Sequence, residues 1–232
     1  MLDINFNIDA NVDLSEGSGS SLLETGLYKA VVKHVYITQS KSGTGIANVI
    51  LTIDNKDIKV EPLYISYADT KSPVRDGKVI PGYITINALS ELVTGKPFSD
   101  TVANAQKKAL MLYDFESKAD KPTEVPVVVE LSGKQVGVGI TKLHKHKKKE
   151  VNGKWYPTTD MFYVNEIHRF YDVTTGQTST EKKKGAEASY GKSWVEKNKG
   201  ITKEESVKDT IIPGDSPANP APTVKAVDAL FS

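Results

Sequence analysis

The strongest constraint on the fold is a change of hydrophobic period along the chain. GLYKAVVKHVYIT, from Gly26 to Thr38, is rich in β-branched residues and sets Val31, Val35 and Ile37 at strand spacing. The polar QSKSGTG then turns the chain into a second strand, IANVILTID, and Asn55 to Asp57 turn it into a third, IKVEPLYISYA. Pro62 inside the third run places it at an edge or a bulge. After the Gly/Pro-rich DTKSPVRDGKVIPG the period becomes helical. Asn87 is positioned to cap ALSELV before Gly95, and Ser99 to cap a run with Val102, Ala105, Ala109 and Leu112 on one face. Pro122 and Pro126 stop that pattern. VVVEL then starts a strand, SGKQ makes a tight turn, VGVGITKLH is another strand, and Asp160 to Val173 is a last long one.

This order of three strands, a helical segment and two or three strands predicts a mainly β chain. A small antiparallel barrel with a helical insertion between strands three and four fits it, and the OB-fold is the common barrel of that design. Residues 1–21 are acidic and end in a Gly/Ser run, so they read as a flexible segment, and 22–178 as the folded domain. Residues 179–232 read as a polar linker and a Pro-rich tail. Within them, Lys182 to Lys208 can carry short helical turns but little core, and Pro213, Pro217, Pro220 and Pro222 mark the tail.

Charge and composition remove several functions. The absence of cysteine excludes disulfides, thiol nucleophiles, iron–sulfur clusters and cysteine-based zinc sites. No run approaches the roughly 18 apolar residues of a membrane helix, and the acidic start does not read as a signal peptide, which predicts a soluble intracellular protein. The net charge of +1 conceals an asymmetry: Met1 to Leu27 holds five acids and no base, whereas Thr141 to Gly185 holds ten bases and five acids. That is the pattern of a chain in which one part meets a polyanion.

The basic stretch carries the chemistry. KHKKKEVNGKWYPTT reads as the loop between the fourth and fifth barrel strands, and it sets Lys145, Lys147, Lys148, Lys149 and Lys154 around Trp155 and Tyr156. Lysines neutralise phosphates without reading sequence, and an aromatic face stacks on any base, so the combination suits sequence-tolerant single-strand binding. Lys142 and Arg169 flank this stretch, and Lys41 lies in the first turn. Tyr64 and Tyr67 lie three apart in the third strand, so alternation sends one of them to the binding face. His144 and His146 sit among lysines with no acidic neighbour in sequence, which argues against a metal. Neither GxxxxGK[ST] nor HExxH nor GxSxG occurs, so neither a cofactor nor catalysis is expected. Two other readings stay open: a protein-interaction or structural module whose basic loop meets an acidic surface, and a hydrolase with a dispersed site.

TGLYKAVVKHVYITQSKSGTGIANVILTI, the helical INALSELVTGKPF and the closing FYVNEIHRFYD together resemble bacteriophage single-stranded-DNA-binding proteins of the replication-module type. The resemblance spans roughly Thr25 to Asp172. It implies an OB-fold that coats single-stranded DNA during replication or recombination, in the cytoplasm of an infected bacterial host. Such proteins often end in a tail that contacts replication partners; here VKAVDALFS supplies Asp228, Leu230 and Phe231 as that tip.

Overall fold

The computed structural model describes residues 22–114, 117–207 and 210–214. Strand β1 (Gly26–Gln39) and β2 (Gly45–Ile53) pair antiparallel around the polar turn. Along β2, Ala47, Val49, Leu51 and Ile53 are buried and the residues between them are only half-buried, as a strand with one face on a core requires. Pro62 splits the third run into β3 (Lys56–Lys59) and β4 (Leu63–Tyr64), both paired with β2. A separate small hairpin follows, β5 (Val74–Arg75) with β6 (Lys78–Val79), and then helices α1 (Pro81–Thr94) and α2 (Phe98–Ala103). Strands β7 (Gln106–Asp114) and β8 (Ala119–Val127) form a second hairpin, and Val129–Leu131 make a 3-10 turn. Strands β9 (Gln135–Val151) and β10 (Lys154–Tyr171) form the longest hairpin. Helices α3 (Ser179–Lys183) and α4 (Tyr190–Asn198) and strand β11 (Lys203–Glu204) complete the described chain.

Strand β1 curls the sheet because its two partners are staggered. Gly26 to Val31 pair with β9 and Val31 to Gln39 with β2, with a register shift between Val32 and His34. The resulting order is β10-β9-β1-β2-β3. Beyond β3, the Glu61 N–H donates to the Asn165 carbonyl on β10 at 2.8 Å, so the two ends of that order meet. The molecule is thus mainly β, 47% strand, around a curled antiparallel half-barrel. Its core gathers Val32, Val35, Leu51, Val138, Ile140 and Phe170 from the strands and Ile86 and Leu89 from α1.

Several elements differ from the sequence reading. Helix α1 begins six residues before Asn87, with Pro81 in its first turn, where the missing N–H of proline costs nothing. Asn87 nevertheless serves a helix N-terminus: its Oδ1 accepts from the Phe98 N–H that opens α2, at 2.9 Å. The helix expected from Ser99 to Leu112 stops at Ala103, and Gln106–Asp114 is a strand. The spacing of Val102, Ala105, Ala109 and Leu112 fits a helix, but pairing with β8 prevails over so weak a preference. VVVEL is the end of β8 and a buried corner rather than the start of a strand.

The segment after Thr178 also differs. Its polar run from Lys182 to Lys208 reads as short helical turns with little core, yet Tyr190 and Trp194 are buried and β11 pairs with β9. Gly137 and Gly139 of β9 explain the docking. A side chain at Gly139 would collide with the Tyr190 hydroxyl and one at Gly137 with the Tyr171 ring, so glycine opens the slots that these rings fill. Residues 1–21 and the tail tip, Asp228, Leu230 and Phe231, lie outside the described residues.

Candidate functional site

The stretch read as a basic loop is the distal half of the β9–β10 hairpin. Val151 pairs with Lys154 across a two-residue turn in which Asn152 and Gly153 take φ of 52° and 77°. This is the Asn-Gly turn whose twist matches a hairpin, so KHKKKEVNGKWYPTT continues the ladder instead of forming a loop. Register then sorts the side chains. Tyr156 stands opposite Lys149 and Trp155 opposite Glu150. Neighbouring residues of a strand face opposite sides, so the two rings do not make one platform. One face carries Tyr156, Lys149, Lys147 and Lys154, whose ammonium lies 5.1 Å from the Tyr156 ring centre. The other carries Trp155, 58% exposed, with Lys148 and Pro157. Lys147 and Lys148 are exposed and make no ion pair among the described residues.

Nearer the barrel the basic residues are engaged. The Lys145 ammonium donates to Glu61 at 2.6 Å. Burial pulls its pKa down, but the hydrogen bond and charge of Glu61, with Glu205 and Glu166, outweigh this and hold it above the usual lysine value. Lys142 pairs with Glu24 at 2.7 Å and sits 5.1 Å from the Tyr163 ring centre. The Arg169 guanidinium lies over Tyr190 of α4, at 5.8 Å. His144, which has no acid beside it in sequence, meets Glu204 of β11 at 3.1 Å and stacks on Tyr163 at 4.4 Å. No cluster of three or more His, Cys, Asp or Glu side chains suited to a metal occurs among the described residues.

The first turn and the third run also separate on inspection. Lys41 is exposed in the Ser40–Thr44 turn, which is closed by the Ser40 N–H to the Thr44 carbonyl at 2.9 Å. Tyr64, 53% exposed, stands beside Ile46 of β2. Tyr67 lies beyond β4, half-buried, with the Arg75 guanidinium 4.2 Å from its ring centre. The outer face of β1–β2 therefore presents Tyr36, Asn48 and Ile46 alongside Tyr64, with Tyr36 opposite Asn48 in the ladder. The sequence reading passes over Tyr36, Asn48 and the exposed Lys107 and Lys108 of β7, and it assigns most of Phe162, Tyr163, Phe170 and Tyr171 to the core, although Phe162 and Tyr163 are exposed. Alternation counted outward from the buried Ala47 and Val49 locates Asn48. Lys107 and Lys108 are hidden by the mistaken helix. No family model matches the chain, and no curated protein is significantly similar to it.

Proposed function

We propose that the chain is a non-enzymatic single-stranded-DNA-binding protein built on an OB-fold, of the bacteriophage replication or recombination type. Support for the fold comes from the curled half-barrel, in which β1 meets both β2 and β9, and one hydrogen bond from Glu61, between β3 and β4, reaches β10. Helix α1 lies in chain order where an OB-fold carries its insertion, between the third and fourth barrel strands.

One observation carries the function: a solvent-exposed Trp155 on a strand arm whose Lys147 and Lys148 form no ion pair with a carboxylate among the described residues. An exposed indole gains by stacking on a base, and unpaired lysines gain by releasing counterions from phosphates. A single strand can wrap the arm and offer bases to both faces, whereas the bases of a duplex are already stacked. The first turn with Lys41 and the outer β1–β2 face with Tyr64 continue the surface. Trp194 is buried, so Trp155 is the tryptophan that solvent and ligand reach. Titration with mixed-sequence oligonucleotides followed by tryptophan fluorescence tests the reading. Quenching by single strands at concentrations well below those needed for duplex is expected; equal response to both, or none, refutes it.

A further inference from the structure

The hairpin of β7 and β8 has no part in the reading above, and its exposure is unusual. It joins the sheet at its base, where Val127 pairs with Tyr36, and beyond that point it is a two-stranded ribbon. Met111 is 61% exposed and Tyr113 48%. Two strands alone are marginal in water, and exposed apolar residues on such a ribbon favour a further partner strand.

The two edges of the ribbon are not equivalent. Strand β8 carries Pro122 and Pro126, which have no N–H to offer, together with Asp120, Lys121 and Glu124. Those are the features that block edge pairing. Among the described residues strand β7 pairs with no strand other than β8, and from Ala109 to Tyr113 it has neither proline nor charge. Its edge is open to another strand.

We infer that the edge of β7 is the contact through which two copies of this chain associate, antiparallel about a two-fold axis at Met111. The occupant is argued from charge. Placing Met111 opposite Met111 of a second copy sets Leu110 against Leu112, Ala109 against Tyr113 and Lys108 against Asp114, each pair occurring twice. The apolar residues meet at the centre and opposite charges meet at both ends, where Lys108 would join Lys121, 3.6 Å away, on the Asp114 carboxylate. This register also keeps each face of the ribbon continuous across the axis, because directly opposite residues share a face. The pairing yields a four-stranded ribbon whose outer edges are the proline-bearing β8 strands, so growth stops at two.

The absence of cysteine provides a clean test. In the full chain, Met111→Cys introduces the sole thiol, and mild oxidation should convert it to a disulfide-linked dimer far more efficiently than Val74→Cys, an exposed position on the β5–β6 hairpin. Wild type should sediment as a concentration-dependent dimer. Lys108→Asp, which leaves intact the hydrogen bonds that the Ser117 N–H and hydroxyl donate to Asp114, should weaken that dimer about tenfold or more by opposing two carboxylates at each end. Asp114→Lys should weaken it likewise, and a mixture of the two variants should form heterodimers, since each then supplies the charge the other lacks. A monomeric wild type, cross-linking no better than at Val74, or a dimer indifferent to Lys108→Asp overturns the inference. Oligonucleotide affinity does not enter these readouts, so the outcome is separate from that of the nucleic-acid reading.

Discussion

Trp155 and His168 are aromatic residues on the same strand, and solvent exposure gives them opposite roles. Trp155 is 58% exposed, so removing it leaves no cavity and removes only a stacking surface. Trp155→Ala should therefore cost about 1–3 kcal/mol of single-strand binding while leaving Tm unchanged, measured by anisotropy titration and thermal melting. A fall in Tm with affinity intact would make the indole a packing residue. His168 is half-buried between Tyr190, whose hydroxyl lies 3.0 Å from its Nδ1, and Trp194, whose ring centre is 5.2 Å away. Burial, then the charges of Arg169 and Lys203, push its pKa down to about 4 from 6.5. The unfolded chain thus binds this proton at higher pH than the folded one does, so the contribution is complete above 6.5 and is lost as pH falls towards 4. Denaturant midpoints taken at pH 7 and pH 5 should drop more for wild type than for His168→Gln. Equal drops would show that the imidazole is solvated.

Elements were legible where one face is buried and obscure where neither or both are. Strand β2 could be read from spacing because its inward residues enter the core and its outward ones do not, whereas in β1 the register shift between Val32 and His34 changes the phase, so Ala30, Val32 and Val35 are buried and Val31, which the spacing selects, is only half-buried. The distal arm of β9 and β10 is polar on both faces, so KHKKK gives no period, and only Asn152-Gly153 signals the hairpin. Prolines at 122 and 126 read as the stop of a helical run, yet both lie within β8, where they are tolerated because among the described residues the outer edge of that strand is unpaired for most of its length. The docking of helix α4 was hidden for a different reason: Tyr190 and Trp194 are isolated in a polar run, and the slot that takes the Tyr190 hydroxyl lies far away in sequence at Gly139. Gly139→Val should displace Tyr190 and loosen α4, lowering stability by about 1–3 kcal/mol, or a few degrees in Tm. In a Trp155→Phe background the emission of Trp194 should shift to the red as its burial is lost. Unchanged emission and Tm would mean that the ring has another place to pack.

Across the whole molecule, the number of free cations rather than the number of lysines sets the response to salt. The net charge of +1 offers no general attraction for a polyanion, so binding must depend on local concentration of charge. The sequence suggests a continuous basic segment from Lys142 to Arg169, but Lys142 and Lys145 are held by Glu24 and Glu61, and Arg169 lies against Tyr190. A lysine that must leave a carboxylate to reach a phosphate exchanges one partner for another and gains little. Lys147 and Lys148 of the arm, with Lys154 beside Tyr156 and Lys41 of the first turn, are the cations placed to release counterions. With about three to five phosphate contacts at about −0.7 each, log K should fall against log salt with a slope near −2 to −4 for single strands. Replacing Lys147, Lys148 and Lys149 together by Gln should flatten that slope by about 1.4, the share of Lys147 and Lys148 at about 0.7 each, whereas Lys142→Gln should leave it nearly unchanged and Trp155→Ala should lower affinity at every salt concentration without altering it. Binding titrations of these four proteins at several salt concentrations separate the terms. A slope that survives the triple substitution would move the phosphate contacts off the arm, to the β1–β2 face or to Lys107 and Lys108 at the base of β7.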